Sequence, residues 1–209
     1  DLENGLISIG ASENALRLIL LSELEHFCAR YPHVRIRLLN YSAPQAVKAL
    51  ENNIIDFAIV STPVLVHKHM HQEKLVSYDE ILLGGTKYKQ FAQQVHYLED
   101  ISEMPLIGLC EGSSTHTHYS RFFMEHDLPF EPDMEAAMTD QVLPMITHNL
   151  GIGFYPKSLA LEAIEKELVF PIELTEPLPN RDVVVITNNH TPINSAARRF
   201  LEFLLENRK

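Results

Sequence analysis

The stretch LISIGASENALRLILLSELEHFCARYPHVRIRLL, from Leu6 to Leu39, decides the fold class of this 209-residue chain. Its first residues alternate between apolar and small side chains and stop at Gly-Ala-Ser, which is typical of a strand that ends in a turn. From Glu13 to Arg30 apolar residues recur at helical spacing, and Tyr31-Pro32 ends the pattern. Arg35 and Arg37 then alternate with apolar residues, as in a half-exposed or edge strand. The stretch therefore predicts a strand, a helix and a second strand.

The same alternation continues beyond this stretch. Ser42 and Gln45 resemble a capping box, which opens a helix that runs to about Glu51. The continuous apolar run DFAIV, at residues 56–60, is typical of a strand buried on both faces. The order β-α-β-α-β indicates a parallel, doubly wound sheet.

A second α/β cycle begins near Glu80 and predicts a second lobe. Its expected elements are, in order, the strands ILLGG and PLIGL, a helix after Gly112, a strand near residues 134–138, a helix near residues 141–149, the strand GIGF, a helix at residues 158–166 and the strand LVFPIEL. The final strand DVVVIT and the amphipathic helix NSAARRFLEFLLE have no partner strand nearby in sequence, so we expect them to return to the first lobe. The sequence thus predicts an α/β protein with two Rossmann-like lobes.

Composition argues against several classes of function. Hydrophobic residues make up 45% of the chain and charged residues 22%, and no apolar run of about 18 residues could span a membrane. The formal net charge of −11 repels phosphate backbones, so we expect DNA contact only through another part of a longer protein. Cys28 and Cys110 lie far apart among apolar neighbours, which favours buried, reduced thiols and a cytoplasmic location over a disulfide or redox pair.

Catalytic motifs are missing from the sequence. It contains no Gly-x-Ser-x-Gly, no His-Glu-x-x-His and no Walker lysine motif. The Gly-x-Gly of GIGF leads from a helix into a strand, which is the reverse of a dinucleotide fingerprint. We therefore expect neither an enzyme nor a bound cofactor.

Polar residues gather where predicted strands feed helix N-termini, which is where ligands bind in open parallel sheets. Three such junctions contain hydroxyl groups. Their candidate binding residues are Ser12, Glu13 and Asn14 after the first strand, Thr62 and Pro63 after the buried strand, and Ser113, Ser114 and Thr115 after PLIGL. Helix N-termini offer free N–H groups and a positive dipole end, so hydroxyls beside them are suited to a carboxylate or another anion.

Two questions about these junctions stay open at the level of sequence. Ser12, Ser114 and Thr139 are equally explained as helix N-caps, although as a set facing one cleft they favour binding. No Arg or Lys lies within the junctions. The carboxylates of Glu13 and other acidic residues nearby would instead bind an amino group of the ligand. An amino acid or a small polar neutral compound is therefore as plausible as a carboxylate.

Histidines alternate in the segment HKHMH. His67, His69 and His71 would align on one face of an extended chain, an arrangement that metal sites use. Because no acidic residue or cysteine stands close by in sequence as a further ligand, we favour an exposed, His-rich loop over a metal site. His116 and His118 diverge around the start of the predicted helix after Gly112, and whichever of them faces the cleft would make ligand binding pH-sensitive.

The order of these pieces resembles the effector-binding domain of LysR-type transcriptional regulators. The resemblance covers essentially the whole chain, and it depends on the conjunction of several short motifs. These are GLISIGAS, LSELEHFCARYPHVRIRL, LENNIIDFAIV, DISEMPLI, ITHNLGIGFYP and INSAARRFLEFL. The chain departs from the family pattern at Asn53, where the family usually has Gly, and Asn also tolerates the left-handed conformation of a helix C-cap.

The resemblance implies the type II periplasmic-binding-protein fold. In that fold two lobes are joined by two crossover strands, here expected near residues 82–85 and 184–187. Lobe I would comprise residues 1–82 and 187–209, and lobe II residues 83–186. The family's effectors imply two further binding residues, Thr139 and Phe154. The family's N-terminal winged helix-turn-helix is not part of this sequence, so the chain itself is not expected to bind an operator.

The first helix carries more apolar residues than one lobe needs. Leu18 and Leu21 lie outside its core stripe, which indicates either a deeply buried helix or a partner surface. The family resemblance implies side-by-side antiparallel pairing of this helix and the Arg35–Arg37 edge with the helix around Phe122 of a neighbour. We therefore expect a homodimer or tetramer.

Three functions are consistent with this sequence. The leading one is a sensor that binds a small-molecule effector, an amino acid, carboxylate or similar compound, and alters how a separate DNA-binding domain meets its operator. The alternative is a solute-binding protein of a transporter. An enzyme on the same fold would require a positioned Lys, Cys or carboxylate in the cleft.

Overall fold

The computed structural model describes residues 5–206. The chain forms two compact units, the first comprising Asp1–Ser77 and Asp182–Lys209 and the second Tyr78–Arg181. It therefore passes between the units after Ser77 and again after Arg181. The termini at residues 1–4 and 207–209, which we assigned to lobe I, lie outside the described residues.

The unit boundaries differ from the predicted divisions after residues 82 and 186. Leu82 and Leu83 pair with Phe154 and Gly153, so the strand that contains them belongs to the second unit. Residues 183–186 pair with residues 58–61 and belong to the first unit. The boundary depends on strand pairing between segments that are distant in sequence, which local patterns do not reveal.

The first unit contains a five-stranded mixed sheet in the order β2-β1-β3-β10-β4. Its strands are β1 (Leu6–Ala11), β2 (Arg35–Asn40), β3 (Phe57–Ser61), β4 (Met70–Tyr78) and β10 (Arg181–Asn188), and its helices are α1 (Glu13–Ala15), α2 (Leu21–Arg30), α3 (Ala43–Glu51) and α8 (Ser195–Glu206). β1 lies parallel to both β2 and β3, and β10 runs antiparallel to β3. A π-helical segment, Leu16–Leu20, joins α1 to α2, so the predicted first helix is continuous from Glu13 to Arg30.

The elements that the sequence predicted in the first unit are confirmed. β2 is an edge strand with mostly exposed residues, whereas every residue of β3 is buried. Ser42 and Gln45 form the predicted capping box of α3, with each side chain accepting from the other residue's backbone N–H. Asn53 adopts a φ of 56°, the left-handed conformation that we expected it to tolerate. β4 was not predicted, because the polar residues of HKHMHQEK concealed it.

The second unit contains another five-stranded mixed sheet, in the order β7-β6-β8-β5-β9. Its strands are β5 (Glu80–Gly85), β6 (Leu106–Leu109), β7 (Met134–Ala136), β8 (Ile152–Pro156) and β9 (Val169–Ile172), and its helices are α4 (Leu98–Ser102), α5 (Ser114–Met124), α6 (Thr139–Thr147) and α7 (Lys157–Glu165). β6 lies parallel to β7 and β8, while β5 runs antiparallel to β8 and β9. Two apolar clusters form the core of this unit, one including Phe123 and Ile152 and the other Ile107 and Ile146.

Two further observations bear on the composition arguments. Within residues 5–206, no helix is long and apolar enough to cross a membrane. Cys28 and Cys110 are free thiols, and both are half-buried instead of fully buried as we expected.

Candidate functional site

The candidate site of the second unit contains a buried ion pair. Arg181 Nη1 is 3.2 Å from Glu80 Oε1, and the two side chains are 1% and 2% exposed. The Tyr119 hydroxyl donates to Glu80 Oε2 at 2.6 Å. Burial, together with the charge of Glu80, raises the pKa of Tyr119 well above its usual range, so the phenol keeps its proton and remains a donor.

The guanidinium of Arg181 also reaches the N-terminus of α5. Its Nη1 donates to Thr115 Oγ1 at 3.0 Å, and its Nη2 donates to Ser114 Oγ at 3.2 Å. Arginine has only donors, so each hydroxyl oxygen is the acceptor and each hydroxyl keeps its own hydrogen to donate. The positive charge of the arginine polarises both hydroxyl groups. Ser114 and Thr115 are therefore well suited to donate hydrogen bonds to an oxygen acceptor.

Thr115 and Glu80 line a depression in the second unit. Its empty volume of about 340 Å³ includes open solvent. The lining residues are Glu80, Ile107, Gly108, Leu109, Thr115, Tyr119, Phe130, Thr139, Val142 and Phe154. A mostly apolar lining with a few polar groups is typical of small-molecule sites.

The two binding residues that the family resemblance implied both lie at this depression. Thr139 is the first residue of α6 and is 7% exposed. Phe154, also 7% exposed, lies on β8 and stacks on Tyr119 with ring centroids 4.1 Å apart. The depression thus brings together Thr115, Thr139 and Phe154, which are distant in sequence.

In the first unit, Ser12 and Thr62 lie at the ends of the adjacent parallel strands β1 and β3. Ser12 Oγ accepts from the backbone N–H of Ser61 at 3.2 Å. Thr62 Oγ1 accepts from the backbone N–H of Asp182 at 3.0 Å. Both hydroxyl oxygens thus bridge neighbouring strands at the edge of the sheet where the parallel strands end.

The remaining candidates of the first unit are Glu13 and Asn14, which follow Ser12, and Pro63, which follows Thr62. The carboxylate of Glu13 accepts from Asn40 Nδ2 at 3.4 Å, a long hydrogen bond. Asn14 is buried, with 3% of its surface exposed. Pro63 follows Thr62 through a cis peptide bond.

The alternative that Ser12, Ser114 and Thr139 only cap helices applies to none of the three. Ser113 is the N-cap of α5, and its Oγ accepts from the His116 N–H at 3.1 Å. Ser114 follows the cap, and Thr139 follows the N-cap residue Met138. Ser12 stands at the N-cap position of α1, but its side chain makes no capping hydrogen bond. Capping therefore does not account for Ser12, Ser114 or Thr139.

No Arg or Lys lies within the junctions along the sequence, but the fold brings Arg181 to Ser114, which lies 67 residues earlier in the chain. Arg181, Glu80 and Tyr119 were all missed as site residues. The available signal was a charged residue placed directly against a buried apolar run, as Glu80 precedes ILLGG and Arg181 opens the strand RDVVVIT. Such a charge needs a partner, but only the fold identifies which one.

His118 does not titrate in the range that we considered for a pH-sensitive site. Burial and the positive charges of Arg181 and Arg121 lower its pKa to about 4, although a hydrogen bond to the Pro179 carbonyl opposes the shift. The imidazole is therefore neutral at neutral pH.

Four of the five predicted interface residues are accessible to a partner. Leu21 is 51% exposed, Leu18 is half-buried, and Arg35 and Arg37 lie along the edge strand β2. Arg35 and Arg37 are both exposed. Phe122 is instead only 3% exposed and packs in the core of the second unit, so its side chain is not available to a neighbour.

The whole sequence matches a known protein family. The model of the LysR substrate binding domain matches residues 1–209. The chain belongs to this family. Its relatives include the HTH-type transcriptional regulator YofA of Bacillus velezensis, 21% identical over 96% of this chain, and a probable RuBisCO transcriptional regulator of Chlorokybus atmophyticus, 23% identical over 96%. This LysR domain spans 67% and 66% of the length of those two proteins.

Solved regulatory and effector-binding domains share the fold. The CcmR regulatory domain of Synechocystis, solved in complex with 2-PG, superposes with a TM-score of 0.86 at 15% identity, covering 99% of this chain and 98% of that one. The effector binding domain of QuiR, solved with shikimate, gives a TM-score of 0.85 at 15% identity, covering 98% and 97%. The predicted α/β class and type II periplasmic-binding-protein fold are thus confirmed.

Proposed function

We propose that this chain is the ligand-sensing domain of a LysR-type transcriptional regulator and that it binds a small polar metabolite. The observation that carries the proposal is the pair of hydroxyls on Ser114 and Thr115, which accept from the buried Arg181 guanidinium and keep their hydrogens to donate. These hydrogen bonds leave each hydroxyl hydrogen available to an oxygen acceptor at the N-terminus of α5, a position that suits anions and carbonyl oxygens.

The same geometry narrows the class of ligand. Donors at Ser114 and Thr115 suit the carboxylate or carbonyl oxygen of a metabolite. Glu80 neutralises the charge of Arg181, so recognition relies on directed hydrogen bonds more than on net charge. The apolar wall around Phe154 would hold the carbon skeleton. An amino acid or a small carboxylic acid satisfies all three conditions.

Signalling would follow from differential binding. A ligand that prefers one conformation of the domain shifts the population toward that state by its difference in affinity. In a full-length regulator this shift would alter operator binding through a DNA-binding segment outside the present sequence, as expected from relatives named as HTH-type regulators. The proposed role needs neither catalysis nor a cofactor, and a regulator of this kind acts in the cytoplasm.

A homodimer or tetramer is part of the proposal. Leu21 and Leu38 are 51% and 40% exposed on α2 and on the edge strand β2. Apolar residues on an open strand edge favour association with another chain.

The relatives that are named as transcriptional regulators favour a regulator over the solute-binding protein of a transporter. No specific observation favours the transporter alternative.

The decisive experiment is a thermal-shift screen against amino acids, small carboxylates and aromatic acids. A specific ligand at about 100 times its Kd should stabilise the native state by roughly 2.7 kcal/mol. Thr115→Val should abolish that shift. Thr117→Val, which changes an exposed threonine of the same helix, is the matched control and should preserve it.

Two more variants test the other candidate hydroxyl groups separately. Ser114→Ala tests the second donor, and Ser12→Ala tests the corresponding junction of the first unit, whose role stays a prediction. The unliganded melting temperature of each variant is measured first, so that loss of binding is separated from loss of folding. A ligand whose shift survives both Thr115→Val and Ser114→Ala would refute the proposed site.

A further inference from the structure

The depression beside Thr115 presents a carboxylate to its occupant. Among the described residues that line it, Glu80 is the one that bears a charge at neutral pH, whereas Arg181 is not part of the lining. The guanidinium of Arg181 is 1% exposed and bonds to Glu80 and to the hydroxyl of Thr115. A ligand in the depression therefore meets a carboxylate directly and the arginine chiefly through hydroxyl groups.

The carboxylate of Glu80 has room for one more hydrogen-bond donor. Its Oε1 accepts from Arg181 Nη1 at 3.2 Å, and its Oε2 accepts from the same nitrogen at 3.4 Å and from the Tyr119 hydroxyl at 2.6 Å. An ionised carboxylate has about four lone-pair positions, so these three hydrogen bonds leave one position on Oε1. The side chain is 2% exposed, so a ligand that donates there displaces little water.

The ion pair also defines how a small ligand would be oriented. Thr115 Oγ1 and Glu80 Oε1 lie 3.0 and 3.2 Å from the same nitrogen, Arg181 Nη1, so the two oxygens are close neighbours. In an α-amino acid the ammonium nitrogen and the carboxylate carbon share one neighbour, Cα, so one small molecule spans both positions. With its carboxylate toward Thr115 and its ammonium group toward Glu80, the charges of ligand and ion pair alternate in sign, which is electrostatically favourable.

We propose that Glu80 binds the ammonium group of the ligand, which makes the ligand an α-amino acid with an apolar side chain. The inference rests on the proposed function, because it adds a role for Glu80 to the same site. Apolar residues supply most of the remaining lining, among them Leu109, Val142 and Phe154, and they suit an apolar ligand side chain. A carboxylate without an amino group would instead place a second negative charge near Glu80, which is unfavourable.

The cation assigned to Glu80 is an organic one. Within residues 5–206, no group of three or more His, Cys, Asp or Glu side chains could hold a metal ion. This includes the histidine-rich segment before β4, where the rings of His67 and His190 stack on His69 with centroids 5.6 and 4.5 Å away. Such near-parallel stacking points the ring nitrogens away from a shared ion. An ammonium group needs only hydrogen-bond acceptors, to which it can donate three N–H groups.

The test measures the affinity of the unaltered chain for pairs of ligands that differ in the amino group. Calorimetric titration compares L-alanine, L-valine, L-leucine and L-phenylalanine with propanoate, isovalerate, isocaproate and hydrocinnamate, which lack the amine. The hydroxy acids L-lactate and L-phenyllactate separate the charge of the ammonium group from its ability to donate. At least one amino acid should bind about tenfold more tightly than its counterparts without the amine.

Two variants test whether this preference depends on Glu80. Glu80→Gln keeps the size of the side chain and removes its charge, so the affinity for the amino acid should fall about tenfold while the acid without the amine binds no more weakly than before. Glu111→Gln is the matched control, because Glu111 is an exposed carboxylate in the turn before α5, and it should preserve the preference. Since Glu80→Gln leaves Arg181 without its partner, urea unfolding first establishes that this variant is folded. The comparison of ligands on the unaltered chain does not depend on it.

The results separate the role of Glu80 from the proposed function. If the acids without an amine bind as tightly as the amino acids and lose affinity in Thr115→Val, the site stands and the role of Glu80 is overturned. An equal loss of preference in Glu111→Gln and Glu80→Gln also overturns it, because a general change of charge would then explain the result. If neither series binds, the proposed site and the role of Glu80 are both refuted.

Discussion

Arg181 and Glu80 form an ion pair in which neither side chain is more than 2% exposed, and Nη1 lies 3.2 Å from Oε1. Removing one partner leaves the other charge buried without compensation. We predict that Arg181→Met lowers the free energy of unfolding by about 3–5 kcal/mol. Urea denaturation measures the effect.

The control for this prediction is the double variant Arg181→Met, Glu80→Leu. It removes both charges, so it should be more stable than the sum of the two single changes implies. A strictly additive result would mean that the two groups do not compensate each other in the folded chain.

Ser113 caps α5 through a hydrogen bond from the His116 N–H at 3.1 Å. Ser113→Ala removes the acceptor and should cost about 1 kcal/mol of stability. Ser113→Asp keeps a side-chain acceptor at the N-cap and should retain most of it. Chemical denaturation of both variants checks the prediction, and equal losses in the two would contradict it.

The neutral state of His118 predicts a pH dependence of stability. An unfolded imidazole has a pKa of about 6.5, whereas the folded pKa is about 4. Between these values the unfolded chain binds a proton that the folded chain does not. His118 therefore causes no loss of stability above about pH 6.5. As the pH drops from there toward 4, the free energy of unfolding falls by at most about 1.4 kcal/mol per pH unit.

His118→Gln removes the titrating group and should flatten the stability profile in that window. The measurement compares unfolding free energies of the two proteins at several pH values, because other groups affect both equally. Parallel profiles would show that His118 is protonated alike in the folded and unfolded chains.

Gly85, at the end of β5, leaves no room for a side chain. A Cβ there would come within 2.3 Å of the Ile146 carbonyl oxygen and 2.5 Å of Asn149 Oδ1. Because a backbone atom cannot move aside cheaply, Gly85→Ala should destabilise the protein by about 1–3 kcal/mol. Thermal unfolding tests this, and an unchanged melting temperature would contradict it. Gly153→Ala is the milder comparison, with its nearest contact at 3.2 Å.

Local sequence patterns were sufficient for most of the secondary structure. The strand, helix and edge strand of Leu6–Leu39, the capping box at Ser42 and the fully buried β3 each follow from the spacing of apolar residues and from capping chemistry. These features depend on neighbours within a few residues, so they are visible in the sequence. β4 was missed because its exposed polar residues hide the alternation.

The candidate site was predictable in part. The hydroxyls of Ser114 and Thr115 were recognised from their place after a predicted strand, since strand ends and helix N-termini are locally encoded. What these hydroxyls bond to was not, because Arg181 lies 66 residues beyond Thr115. The assignment of Phe122 to a surface was also wrong, because helical spacing does not say how many faces of α5 are covered.

By itself, the sequence determined the α/β class, the order of most of the elements and the junctions that carry hydroxyl groups, because each depends on short-range periodicity. Only the tertiary structure decided that Arg181 is paired with Glu80, that His190 stacks on His69, and where the chain passes between its two units. Each of these is a contact between segments far apart along the chain. Such contacts are selected by packing and by the need to compensate buried charge, which no local pattern specifies.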